Sequence, residues 1–200
     1  MQNKGQFFVL AAIIIVLSVI AVKTLIISSR SVPLGKTEFA DKILENVEKE
    51  YENIVGIAAM QSNVNASLVE YLTNFTNYLR NDRDCEVLWI AIYHNSSQQD
   101  LSLSVGNFLQ SKINLTLILD GATPSSATFS LDDESIGYQK FSTSSNTINI
   151  TISYSLRGEN RQEKIMLDVS KDFAYGFFDI KIKEEDFEAR NIGTKRVLLS

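Results

Sequence analysis

From Phe7 to Ile27 the chain reads FFVLAAIIIVLSVIAVKTLII, with only Ser18, Lys23 and Thr24 polar. Such a run makes about 31 Å of α-helix, the thickness of a bilayer's hydrocarbon core, so it predicts a membrane span over residues 6–30. Pro33 and Gly35 then break the helix. From Thr37 the period becomes amphipathic. Phe39, Ile43, Leu44, Val47, Tyr51, Ile54 and Ala58 recur at spacings of three and four, opposite Glu38, Lys42, Glu45, Lys49 and Glu52. A second amphipathic helix is predicted over residues 65–81, with Leu68, Leu72, Phe75 and Leu79 on one stripe. Both stripes read as packing surfaces, because their polar faces mix charges of both signs.

After Asp84 the period falls to two. Ile113, Leu115, Leu117 and Leu119 alternate with polar residues, as do Ile148, Ile150, Ile152, Tyr154 and Leu156. Shorter runs lie at 101–105, 129–131, 165–169 and 178–182. Val87 to Tyr93 is apolar on both faces, which predicts a central strand or one covered by the helices. Turn residues such as Asp120-Gly121 and Gly158 separate the runs. Seven or eight strands without strand–helix alternation predict an α+β chain: transmembrane helix, amphipathic helices, then an antiparallel β-sandwich of the Ig-like kind. The organisation read from this is a leader at 1–5, a membrane helix at 6–30, a helical stalk at 31–84 and a β-sandwich at 85–200.

Composition narrows the function. Residues 1–30 hold three of the 19 Lys and Arg and none of the 24 Asp and Glu, leaving −8 on the remainder. An acidic body lacks the basic face that nucleic acid requires. One Cys and one His exclude a disulfide framework and the usual zinc ligand sets. His94 stands at a strand end beside Asn95 and reads as a surface turn residue, whereas Cys85 reads as a small buried residue opening a strand. Asp82, Asp84 and Glu86, and the cluster Asp132-Asp133-Glu134, read as solvated loop charge, since calcium-loop spacing and its glycine are absent. Of Trp89, Tyr93, Tyr138, Phe141, Tyr154 and Tyr175, most fall where a sandwich needs core. No catalytic, cofactor-binding or metal-binding set emerges, and no enzyme activity or cofactor is expected. Five Asn-Xaa-Ser/Thr sequons, at Asn65, Asn74, Asn95, Asn114 and Asn149, are candidate glycosylation sites.

The leader Met1-Gln2-Asn3-Lys4-Gly5, opening directly into Gln6-Phe7-Phe8, resembles the class III signal peptide of type IV pilin-like proteins, and is most similar to the archaeal versions. The resemblance covers about the first 28 residues. It implies that a prepilin-type peptidase cuts after Gly5, making Gln6 the new N-terminus and leaving the apolar helix as membrane anchor or filament core. It also implies a single-pass protein of the cell membrane with its body outside, whose partners are membrane lipid and copies of itself or other pilin-like subunits. Lys and Arg counted near the two ends of the span give the opposite orientation. At the fifth mature position, where many pilins carry Glu, this chain has Leu10.

Overall fold

The computed structural model describes residues 36–156, 158–184 and 187–199. The expected membrane helix, the cut between Gly5 and Gln6 and the break at Pro33 and Gly35 lie outside them. Among the described residues no helix is long and apolar enough to cross a membrane. Residues 40–200 form one compact unit.

Two helices open the described chain: α1 (Lys36–Ala59) and α2 (Val64–Asp82). Asn63 caps α2, its Oδ1 accepting from the Ala66 amide at 3.3 Å and satisfying one of the donors a helix start leaves orphaned. At the other end Arg83 turns to extended backbone and leads straight into a strand. Ten strands follow: β1 (Asp84–Asn95), β2 (Asp100–Phe108), β3 (Ile113–Asp120), β4 (Ala122–Thr123), β5 (Ser126–Leu131), β6 (Ser135–Thr143), β7 (Thr147–Leu156), β8 (Glu159–Asp168), β9 (Phe173–Glu184) and β10 (Phe187–Leu198). They form a six-stranded sheet in the order β10-β9-β1-β2-β6-β4 and a four-stranded sheet in the order β5-β3-β7-β8. Every pairing is antiparallel. The fold is therefore α+β and mostly β.

The six-stranded sheet is the middle of three layers, which explains why β1 is apolar on both faces. Its even positions Leu88, Ile90 and Ile92 join Leu115, Leu117, Ile150 and Ile152 of the four-stranded sheet in one core. Its odd positions Cys85, Val87, Trp89 and Ala91 join the helical stripes, Leu44, Val47, Tyr51, Val55 and Ala58 from α1 with Leu68, Leu72 and Leu79 from α2, in a second. Each large side chain so buried contributes about 1.5–3 kcal/mol. The helical layer is tied at its edge as well: Asn191 and Lys195 of β10 donate to Glu48 and Glu52 of α1 at 2.5 and 3.1 Å. Strands β4, β6 and β10 were not among the runs read from the sequence.

Candidate functional site

Gly5 and Gln6 lie outside the described residues, so of the candidate residues the five sequon asparagines remain. Asn65 is half-buried in the first turn of α2, and Asn74 is exposed on the same helix. A helix advances about 100° per residue, so a residue and its second neighbour face nearly opposite ways. Accordingly Thr76, the hydroxyl residue of the Asn74 sequon, is fully buried, donating to the Leu72 carbonyl at 2.7 Å and bonded to the Tyr51 hydroxyl at 2.8 Å. Asn95 ends β1, where its Oδ1 accepts from the Gln98 amide at 3.1 Å and shapes the turn to β2.

Asn114 and Asn149 differ from these three. Both are exposed on the outer face of the four-stranded sheet, and strand geometry puts Thr116 and Thr151 on that same face. The pairing register arranges the face in cross-strand rows: Ser130 with Asn114, Thr128 with Thr116 and Ser153, Ser126 with Ile118 and Thr151, and Asp120 with Asn149 and Met166. Among the described residues Asp120, Lys164 and Asp168 bring charge to it, and Arg161 borders it beside Asn114. Beside Asn114 lies a hollow of about 400 Å³, lined by Ser153, Ser155, Asn160, Arg161 and Gln162 as well as Tyr154.

His94 is fully buried, a correction to the surface position expected of it. The reason is the length of β9, which runs beside β1 as far as the pairing of His94 with Phe173 and closes the sheet over the ring. The imidazole stacks on Phe173 at 5.3 Å, and the Arg196 guanidinium sits 4.7 Å from the same phenyl ring. Its Nδ1 donates to the Lys171 carbonyl at 3.0 Å, while Nε2 is buried without a partner among the described residues. Ser96 donates both its amide, at 2.7 Å, and its hydroxyl to Asp172. These donations hold the Asp172 carboxyl below its ordinary 3.8, the hydroxyl contributing most. Because the hydroxyl is bonded to the carboxylate and not to the imidazole, the group lacks the nucleophile–base contact of covalent catalysis and instead clasps two turns together.

Cys85 is buried as expected. Burial pushes its thiol up to about 11, so it stays protonated at neutral pH and is a poor nucleophile. Of the acidic clusters, Asp82, Asp84, Asp132 and Glu134 are exposed as expected, whereas Asp133 is half-buried and Glu86 is a correction to that reading. Glu86 is fully buried and pairs with Lys183; Asp133 and Glu134 clamp Arg80 at 2.9 and 3.0 Å, and Asp84 accepts from Gln110 at 2.8 Å. Among the described residues no three His, Cys, Asp or Glu side chains gather as a metal site requires. Of the aromatic set, Trp89, Phe141, Tyr154 and Tyr175 are buried, Tyr93 is half-buried and Tyr138 is exposed.

Asp179 is another buried polar group that went unforeseen. Asp179 sits between the sheets, where Arg190 donates through Nε at 2.6 Å and through Nη2, and Tyr154 donates its hydroxyl. Burial first, then the Asp179 charge, raises the Tyr154 phenol above its ordinary 10. An acid at an inward position of the apolar stretch Phe177-Phe178-Asp179-Ile180 was the available signal. Compared with known proteins, the chain matches no family model, no curated sequence and no solved structure.

Proposed function

We propose that this is a membrane-anchored cell-surface protein with a structural role, a pilin-like or minor pilin subunit. The observation that carries the reading is the apolar run Phe7–Ile27 behind a five-residue leader ending in Lys4-Gly5. The body is consistent with that use. The helix that begins at Lys36 spends the stripe Leu44, Val47, Tyr51, Val55 and Ala58 on the six-stranded sheet, so from Leu44 onward it belongs to the core. In an assembly, the apolar N-terminal helices exchange lipid for one another at little cost, since hydrocarbon and apolar side chains are similar solvents. Leu10, standing where a carboxylate is common in assembling relatives, favours a second reading: a monomeric anchored binding module, either an adhesin or an accessory subunit of a membrane complex.

The two separate by experiment. The mature chain is expected to start at Gln6 and to enter the fraction sheared from cells as filaments. Ala12→Leu, which raises hydrophobicity but overpacks a close helix contact, is expected to keep membrane insertion and reduce that fraction. A wild-type chain that never enters the sheared fraction, and is monomeric in detergent, sinks the pilin-like reading and leaves the anchored module.

A further inference from the structure

We propose that the outer face of the four-stranded sheet is the sugar-bearing face of the protein, with oligosaccharide joined to Asn114 and Asn149. This rests on the body lying outside the membrane. Recognition of a sequon needs the asparagine amide and the hydroxyl two residues on together. An extended strand presents both on one side, as Asn114 with Thr116 and Asn149 with Thr151 do. The helical sequon of Asn74 separates them, leaving Thr76 buried in its bonds to Leu72 and Tyr51. Asn65 lies in the same helix, and Asn95 has its amide oxygen committed to the Gln98 turn.

The surroundings fit the product. The face is built of hydroxyls and amides with little charge, so a glycan lying on it displaces water without stripping ions of their hydration. The hollow beside Asn114 offers Ser153, Ser155, Asn160 and Gln162 to the first sugar. At the other site Met166, 74% exposed, pairs across from Asn149, and a glycan there covers it. Asn149 stands opposite Asp120, six residues along β3 from Asn114, so the two attachment points lie about 20 Å apart and span the face. In the transfer, an oligosaccharyltransferase brings a lipid-(di)phosphate-linked oligosaccharide to the asparagine as the exposed strand presents it. The amide nitrogen bonds to the anomeric carbon, the bond from that carbon to phosphate oxygen breaks, the lipid phosphate leaves with the electron pair, and one amide proton passes to solvent.

The test uses the full chain extracted from membranes of its native host, digested and mapped by electron-transfer mass spectrometry. Glycan mass is expected on the peptides holding Asn114 and Asn149, and none on those holding Asn65, Asn74 or Asn95. Asn114→Gln and Asn149→Gln each lower the intact mass by one glycan, whereas Asn74→Gln changes it only by the added methylene. Bare Asn114 and Asn149 in a body that protease reaches in sealed cells overturn this inference alone. A bare body that protease reaches only after lysis overturns it together with the surface reading.

Discussion

Thr76 gives its hydroxyl proton to the Leu72 carbonyl, so in the contact between Tyr51 and Thr76 the donor is Tyr51. Two near-isosteric changes therefore differ in cost. Tyr51→Phe keeps the ring against Phe75 and Phe178, both 4.9 Å away between centroids, and leaves no orphaned donor. It should cost about 0.5–1.5 kcal/mol, the net worth of one hydrogen bond. Thr76→Val strands the Tyr51 hydroxyl in a dry core and should cost about 1–3 kcal/mol, most of it recovered in the double variant. Urea midpoints decide the matter: a Thr76→Val chain no weaker than Tyr51→Phe would show the donor assignment to be wrong. Asp172 supplies the pH dependence at this scale. Its folded value lies below its ordinary 3.8, so its contribution is complete above that value and fades as pH falls through the lower folded one. Asp172→Asn is then expected to weaken the protein at about pH 6, with the gap to wild type narrowing as the pH falls below 3.8; a gap that does not narrow in acid would mean that the side chain matters for shape and not for charge.

Helix α1 packs close to β9 at Gly176, where an added Cβ would lie 2.8 Å from Cγ2 of Val55 and 2.4 Å from Cζ of Phe178. Both neighbours are packed core atoms, so Gly176→Val should push the helix from the sheet and cost about 1–3 kcal/mol. At Gly193 the nearest atom is Oε1 of Glu48, the far end of a flexible chain, and Gly193→Ala should be nearly neutral. Thermal denaturation of the two variants checks this contrast, and equal losses would mean that the layer spacing is not set at Gly176. The helical stripes were legible in the sequence because Leu44, Val47, Tyr51 and Ala58 keep one period throughout. Strands β6 and β10 were not. In β6 the inward positions are Gly137 and Phe141 while Ile136 and Tyr138 point out, which inverts the usual alternation. In β10, an edge strand, Glu188, Arg190, Lys195 and Arg196 fall among apolar residues that keep no strict alternation, and charge of this kind is what edges that must resist further pairing carry.

For the whole molecule, the doubly apolar β1 announced a covered strand, but the sequence did not say how much of its sheet the helices cover. That depends on pairings as distant as Val87 with Ile180 and Asn191 with Glu48, which no local pattern encodes. The candidate face was half legible for the same reason: the periods of β3 and β7 put Asn114 and Asn149 on wet faces, and only the register between the strands makes it one face. The layering carries a prediction of its own. Val87, Trp89, Ala91, Phe108, Ala174, Phe178, Ile180 and Ile182 are buried against the helices, far more contiguous apolar surface than a soluble body tolerates bare. A chain of residues 36–200 should therefore unfold in one cooperative transition, whereas residues 84–200 alone should bind a hydrophobic dye and aggregate. Circular dichroism melts and dye fluorescence of the two chains test this. A soluble 84–200 chain that melts as sharply as the longer one would mean that the sandwich stands by itself and that α1 and α2 only rest upon it.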